Sequence, residues 1–422
     1  MSLSSANRPP RVALVGVTGY AGIYLGMLRP FHERRELELV AVVIINPRDP
    51  AARAAAAEVT AWGATIHESH EALCAAEAGR IDLCLIPTGI AWHARLTVAA
   101  LRAGMHVLVE KPLAGSLADA ALIRAAEKET GRWVAVGFQD IYAREARDLR
   151  AELLAGLIGP PRAASVLGLW PRPVAYYTRN PWAGRLRADH ADVYDSPLNN
   201  AFAHFVNLAL FFTAAAGETP PAPRCVDAEL FRVNAIETFD TAVVRARSAD
   251  GVAFWFGFSH ATREFHQPEI LITGTSGRAH WVHEKHLVIE NQAGLRRVVP
   301  LPDAFAYRHR MLMSVLARLR DPATWICDTA LAARHTAFIR SVHDHAPVRD
   351  FPADRVERER DPETESDLLT VAGLGAALRD AFEDGGTLAA RGFGPAPECA
   401  MPPPSTRVDL AAFSVAAINP AA

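Results

Sequence analysis

Apolar and polar positions divide the chain into two regimes. In the first 140 residues, short unbroken apolar runs recur between stretches of helical periodicity. RVALVGV (11–17), LELVAVVII (37–45), IDLCLI (81–86), HVLV (106–109) and WVAVGF (133–138) read as strands. Continuous apolar runs of this length suit strands buried on both faces. Residues 20–30, 51–61, 97–104 and 117–131 read as helices. The first is expected to stop before Pro30, and glycines close the last two. Alternation at this spacing predicts a doubly wound parallel sheet with right-handed crossovers.

After residue 142 the pattern changes. It predicts a helix over about 142–155, an irregular Pro-, Tyr- and Trp-rich stretch over 170–196, and an apolar helix over roughly 198–215, with Ser196–Pro197 as its cap and first turn. From 224 to 299 strand-like runs follow one another: CVDAELFRV, DTAVVRARS, VAFWFGFSH, EILITG, RAHWV, HLVIE and RRVVP. ADG and TSG supply turns between them. This predicts an antiparallel sheet with one face on helices and the other free for other contacts. Helices near 304–319, 327–345 and 366–383 and a Pro/Ala-rich tail from about 394 complete the chain. The fold class is thus α/β plus α+β. Residues 1–140 are expected to form one domain, 141–360 a second, and 361–422 a helix and tail.

Composition narrows the function. The chain has 422 residues, 44 basic and 47 acidic, for a net charge of −3. No basic block suggests nucleic acid. No apolar run is long enough to span a bilayer, and the polar start MSLSSANRPPR lacks the apolar core of a secretory signal, so a cytoplasmic location is expected. The five cysteines are scattered and never in a C-x-x-C pair, and no spacing amounts to a metal site.

GVTGYAG (16–22) follows the first strand and opens a helix. Glycine permits a tight turn and a close backbone approach to a pyrophosphate, and the helix N-terminus favours negative charge. Gly16, Thr18, Gly19, Tyr20 and Ala21 are the candidate contacts, with Thr18 where the second glycine of G-x-G-x-x-G would stand. The second strand ends in IINPRD. Asn46 replaces the acid that usually binds the ribose hydroxyls of NAD, and Arg48 could pair with a 2′-phosphate, so NADP is favoured over NAD.

HVLVEKPLA (106–114) places a glutamate and a lysine straight after a buried strand. Open α/β sheets bind ligands at the carboxyl ends of their strands. Hydride leaves a carbinol carbon only as its hydroxyl proton departs, and a cation there stabilises the developing alkoxide. Lys111 therefore fits an acid/base at a ligand crevice, with Glu110 offsetting or orienting its charge.

GVTGYAG, IPTGIAWH (86–93), HVLVEKPLA and VGFQ (136–139) stand in an order and spacing that resembles the glucose-fructose oxidoreductase / inositol dehydrogenase / rhizopine catabolism family. The resemblance covers most of residues 11–160 and continues loosely to about 345. It implies a nucleotide-binding domain followed by an open, mainly antiparallel sheet domain, and oxidation or reduction of a CH–OH carbon on a sugar, cyclitol or related polyol. It places Lys111 beside the nicotinamide and the substrate hydroxyl, has Glu110 hold that region together, and makes the peptide before Pro112 cis. His93 and Thr88 fall near the cofactor edge, and Gln139 near substrate or carboxamide. The family's D-x-G-x-H-x-x-D helix corresponds to SPLNNAFAHFVN (196–207), with His204 as the histidine, Asn200 one turn before it and Asn207 after it. Two asparagines in place of aspartates depart from the family's pattern. Asp192, Asp195, His190 or Tyr194 could supply an acid. Arg172, Tyr176, Tyr177, Arg179 and Trp182 form an aromatic-basic loop suited to a polyol or an acidic sugar.

The leading expectation is an NAD(P)-dependent oxidoreductase acting on a sugar- or polyol-like molecule, assembled as a homodimer or homotetramer. The alternatives are a thiolate-dependent acyl-phosphate or semialdehyde reductase, a non-catalytic nucleotide sensor, and a cofactor-retaining epimerase-like or glycoside-cleaving enzyme.

Overall fold

The structure is a computed structural model that describes residues 8–215 and 222–394. The polar amino-terminal start up to Asn7 and nearly all of the Pro/Ala-rich tail lie outside the described residues. The chain divides into two compact units. The first runs to Ala143 and takes in Arg187–Val193 and Asp303–Thr336; the second comprises Arg144–Leu186, Tyr194–Pro302 and the chain from Ala337 on.

The first unit is built on β1 (Arg11–Val15), α1 (Tyr20–Glu33), β2 (Glu38–Val43), α2 (Pro50–Ala61), β3 (Thr65–His67), α3 (His70–Ala76), β4 (Leu83–Ile86), α4 (His93–Arg102), β5 (His106–Val109), α5 (Leu117–Thr130) and β6 (Val134–Val136). The sheet is parallel with strand order β3-β2-β1-β4-β5-β6, the doubly wound dinucleotide-binding order. Val12, Leu14, Leu83, Leu85, Val107 and Leu108 are wholly buried, as their unbroken apolar runs require. α1 does not stop before Pro30 but runs through it to Glu33. Proline's fixed φ is helical, and its missing N–H removes only one bond near the helix end. The short β3 and α3 lack a sequence signal strong enough to separate them from loop.

The second unit opens with α6 (Arg144–Leu154), β7 (Pro161–Leu169) and α7 (Val174–Thr178). Next come the two-residue strands β8 (Arg187–Ala188) and β9 (Ala191–Asp192), which belong to the first unit. α8 spans Ala203–Thr213. It starts later than the predicted 198, with Phe202 as a cap that offers no side-chain bond; Ser196 and Pro197 lie in a preceding turn.

The strands β10 (Arg224–Arg232), β11 (Thr241–Arg247), β12 (Ala253–Ser259), β13 (His266–Gly274), β14 (Gly277–Val282), β15 (His286–Asn291) and β16 (Arg296–Pro300) fall where the runs predicted them. α9 (Ala304–Arg318), α10 (Thr329–His345), β17 (Val348–Asp350), β18 (Val356–Arg360), β19 (Asp367–Val371) and α11 (Leu374–Asp384) follow. The helix expected over 366–383 is therefore a hairpin strand followed by a shorter helix. The second strand of that hairpin, DLLTV, is apolar enough to read either way.

The sheet of the second unit has nine strands in the order β16-β15-β14-β13-β7-β12-β11-β10-β17. It is mostly antiparallel, but β7 pairs parallel with β12 at its centre, and β17 parallel with β10 at its edge. α8 covers one face, where Phe202 stacks on Phe258 at 4.6 Å and Phe212 meets Trp281 at 5.6 Å. The other face was expected to be free. Instead the chain's own carboxyl-terminal segment covers much of it. Phe351, Val371, Leu374, Leu378, Phe382, Leu388 and Phe393 form one buried cluster with Leu167, Leu169, Phe231, Trp255, Leu271 and Val288. Trp255 donates to Gly386 O at 2.9 Å, and both Glu229 oxygens accept backbone N–H groups, from Leu388 at 2.6 Å and Ala389 at 2.7 Å.

Candidate active site

β1 ends at Val15, and Gly16 turns the chain with φ +92° while its N–H bonds Val43 O at 2.8 Å. A Cβ on Gly16 would lie 3.1 Å from Ala21 Cβ, and positive φ strains any other residue there. Gly19 caps α1 at φ 59° and is exposed, with open space where a side chain would be. Thr18 is half-buried and Tyr20 is 37% exposed. The first turn of α1 carries no acid. Free N–H groups, partial positive charge and absent acids together suit a phosphate. Beyond β2, Asn46 and Arg48 are both exposed. The nearby acid Asp49 caps α2 by accepting from Ala51 N at 2.8 Å, which leaves Asn46 at the tip.

The carboxyl ends of β4, β5 and β6 lie side by side in the sheet. β5 leads into Glu110 and the cis Lys111–Pro112 peptide. Glu110 is 4% exposed; one carboxyl oxygen accepts from Tyr24 OH at 2.5 Å and the other from Lys111 N at 3.0 Å. Burial pushes its carboxyl above the usual range, against the pull of the Lys111 charge and the Tyr24 hydroxyl. Gly137 makes room for it, since a Cβ there would sit 2.8 Å from Glu110 Oε1. Lys111 itself is half-buried.

His93 is fully buried, with Nδ1 2.8 Å from Pro112 O and Nε2 3.1 Å from Thr88 O. Burial depresses its pKa against the pull of those carbonyls. It therefore braces the loops after β4 and β5 from behind. Thr88 Oγ1 and Gln139 Oε1 are buried with no hydrogen-bond partner. Such orphaned groups next to a strand-end lysine fit polar atoms of a bound dinucleotide. Gly115, in the loop after Pro112, packs against β9 so closely that a Cβ would lie 1.8 Å from Asp192 O.

In the second unit, His204 is half-buried in the first turn of α8. Asn200 lies in the turn before that helix, so the predicted single helix face shared by the two is not formed there. Asn200 Nδ2 donates to Asp195 Oδ1 at 2.8 Å and lies 3.5 Å from Tyr176 OH. Asp195, 3% exposed, also accepts from Gly184 N at 2.6 Å. An aspartate at 200 would set two carboxylates against each other, so the amide matches its neighbour. Asn207 is 1% exposed, with neither amide atom partnered. The other acids considered are engaged in contacts of their own: Asp192 pairs with Arg187 at 3.3 Å, and Tyr194 OH accepts from Arg340.

The roles of three residues in this arrangement were not legible in the sequence, although Gly137 stands in VGFQ and Asp195 was among the candidate acids. Tyr24 looks like any apolar helix residue, and Gly137 like any strand-end glycine. Asp195 was one of several loop acids until its bond to Asn200 singled it out. Among the described residues, no group of three or more His, Cys, Asp and Glu is placed to hold a metal ion.

Parts of the chain resemble known proteins in sequence, and its fold resembles solved structures. The dTDP-3,4-didehydro-2,6-dideoxy-alpha-D-glucose 3-reductase of Streptomyces violaceoruber is 35% identical over 156 residues, 37% of this chain and 44% of that enzyme. The chain thus spans less than half the length of that relative in the match. Two solved structures share the fold. The WlbA dehydrogenase from Bordetella pertussis, in complex with NADH and UDP-GlcNAcA, is 22% identical with a TM-score of 0.65 and covers 80% of this chain and 96% of its own. KijD10, a 3-ketoreductase from Actinomadura kijaniata in complex with NADP and TDP-benzene, is 20% identical with a TM-score of 0.63 and covers 82% and 100%. Residues 10–138 match the model of an oxidoreductase family with an NAD-binding Rossmann fold, GFO_IDH_MocA, so the amino-terminal part of the chain is similar to that family.

Proposed function

We propose that the chain is an NAD(P)-dependent oxidoreductase that moves a hydride to or from a CH–OH carbon of a sugar, cyclitol or related polyol. The observation that carries this reading is the end of β5. The Lys111 cation follows a buried carboxyl, and the orphaned oxygens of Thr88 and Gln139 lie just beyond the ends of the two adjoining strands. The names of the relatives, a sugar 3-reductase and a 3-ketoreductase, support the same chemistry.

Gly16, Thr18, Gly19, Tyr20 and Ala21 would hold the pyrophosphate on the α1 N-terminus, Asn46 and Arg48 the adenosine ribose, and Thr88 and Gln139 the nicotinamide end. The bound dinucleotide supplies the hydride-exchanging carbon. NADP is preferred, because no acid stands at the tip of β2 to repel a 2′-phosphate. Lys111 stabilises charge on the reacting oxygen and exchanges its proton. Glu110 and His93 position Lys111 from behind. His204 is assigned as a second proton carrier, Asn200 as its orienting group, and Asp195 as the group that fixes Asn200.

Four of the five cysteines are described, and all are free. Burial raises their thiols, Cys74 to about 11 and Cys225 to about 12, which opposes a thiolate mechanism. A cytoplasmic location belongs to the same proposal; no described helix is long and apolar enough to cross a membrane. A homodimer or homotetramer would have to use a surface other than the sheet face covered by residues 351–393.

The test is turnover of a panel of polyols and keto-sugars with each dinucleotide. Lys111→Ala should lower kcat by about 10²–10⁴-fold while leaving dinucleotide affinity intact. Cofactor binding without turnover of any member would favour the sensor reading, and full activity in Lys111→Ala would remove the proposed chemistry.

A further inference from the structure

Two arginines of the second unit press on one ring. The Arg179 guanidinium carbon lies 3.6 Å from the Tyr176 ring centroid, and that of Arg172 lies 5.1 Å from the same point. Arg172 also lies 5.7 Å from the Trp170 ring, and Arg179 5.4 Å from Trp182. Pro171 and Pro173 restrict the backbone on either side of Arg172. This loop leaves the carboxyl end of β7 beside that of β12, where His260 stacks on Phe202 at 5.2 Å.

Arg179 donates to Tyr176 O, an uncharged acceptor that does not balance its charge. Among the described residues neither guanidinium forms an ion pair with a carboxylate, whereas nearby Arg185 pairs with Glu237 at 2.7 Å. Asp195, the acid of this cluster, is committed to Gly184 N and Asn200. His260, 2.7 Å from Trp170 O through Nδ1, is held at about 3 by burial and then by Arg172 and Arg179, so it stays neutral. Trp170 Nε1 and Arg172 Nε are donors of the same tripeptide, both buried without an acceptor. Like charges gathered on one ring, with unsatisfied donors beside them, match an external anion.

We propose that this loop binds an anionic substituent of the substrate, a carboxylate or a phosphate group, through Arg172, Arg179 and the indole N–H of Trp170. The stacking holds the guanidinium planes before the ligand arrives, so little side-chain freedom is lost on binding. The proposal relies on the oxidoreductase reading only for the word substrate; the anion site exists or fails without turnover.

Titration calorimetry on the full chain at low salt tests it, with glucuronate as the carboxylate probe, UDP as the diphosphate probe and glucose as the uncharged control. Wild type should bind one of the anions more tightly than glucose, and the stronger of the two names the source. Arg172→Gln and Arg179→Gln should each weaken that anion about tenfold and leave glucose unchanged, while Arg172→Lys recovers part of the loss. Dinucleotide affinity, measured on the same samples, reports folding. Equal affinity for all three probes, or anion binding unaffected by either glutamine variant in a folded protein, overturns the proposal. A chain that binds the anion through these arginines yet turns over no CH–OH compound would keep the anion site and lose the redox reading.

Discussion

The hydroxyl of Tyr24, on α1, donates a 2.5 Å hydrogen bond to the carboxyl of Glu110, at the end of β5. Both are almost fully buried, at 1% and 4% exposure. The bond ties the helix that carries the phosphate loop to the strand end that carries Lys111. Tyr24→Phe should cost about 1.5–3 kcal/mol of stability, because it leaves a buried carboxyl oxygen short of a donor. Urea unfolding at pH 7 measures this, and a change under about 0.5 kcal/mol would mean that the bond is not made in solution.

Gly137 faces the same carboxyl from β6. A methyl group there meets Glu110 Oε1 at 2.8 Å and Glu110 Cα at 3.2 Å. The second contact is backbone, so rotation of the Glu110 side chain cannot relieve it. Gly137→Ala should shift the Lys111 segment and lower kcat by about 10²-fold, the usual scale of an ångström-sized misplacement. Dinucleotide binding at the α1 N-terminus should change far less. Steady-state kinetics beside an equilibrium dinucleotide titration separate the two effects; unchanged kcat would show that the site tolerates the displacement.

Asn46→Asp should invert the cofactor preference. A carboxylate at the exposed tip of β2 repels a 2′-phosphate and accepts from ribose hydroxyls, so NADP should weaken about tenfold or more while NAD tightens. Arg48→Ala should weaken NADP alone. Nucleotide fluorescence titrations supply the ratios, and an unchanged NADP:NAD ratio in both variants would assign ribose recognition elsewhere.

Much of this was legible in the residues and some was not, for identifiable reasons. Apart from β3, the parallel strands of the first unit fall in apolar runs, and a run such as IDLCLI has few alternatives to burial. HVLVEKP drew attention because charge rarely follows a buried strand without a purpose. β7 escaped notice because PRAASVLGL is only weakly patterned, and its parallel partner β12 is about 90 residues away in the chain, a pairing no local rule can see. The covered sheet face escaped for a similar reason. The acidic-basic stretch VERER looks solvated, and nothing in it announces that the hairpin leads α11 back onto Trp255. Asn200 read as a lost acid until Asp195 appeared beside it. The pairing depends on a turn that the helical pattern had extended through.

Acid should weaken the second unit in part through His260. Burial first, then the Arg172 and Arg179 charges, depress its pKa from 6.5 to about 3. The unfolded chain therefore takes up a proton before the folded one. Its contribution is complete above about pH 6.5 and is lost as pH falls toward 3. Between pH 6.5 and 4.5 the loss from this residue is about 2–3 kcal/mol at ~1.4 kcal/mol per unit. His260→Gln lowers stability at every pH by removing the Phe202 stack, but its stability should fall less steeply over that interval. Urea midpoints at the two pH values decide this, and parallel slopes for wild type and variant would place the acid sensitivity in other groups.

Glu229 offers the sharpest check on the covered sheet face. Burial pushes its carboxyl upward, and the Ala389 and Leu388 N–H groups pull it back; together these bonds fix the chain just beyond α11. Glu229→Ala would leave two N–H groups facing an apolar wall. With roughly 1–3 kcal/mol for each buried unsatisfied donor, the loss should reach about 2–4 kcal/mol after some relaxation. Leu378→Ala removes buried methyl groups from the same cluster and should cost about 2–4 kcal/mol. If residues 351–393 fold with the sheet, both variants should also speed tryptic cleavage near Arg391, which is held by Asp384 at 2.8 Å. Should stability fall while cleavage stays slow, the segment is anchored by contacts other than these. Should cleavage be fast in wild type as well, the segment does not cover the sheet in solution, and the face would again be open to a second copy of the chain.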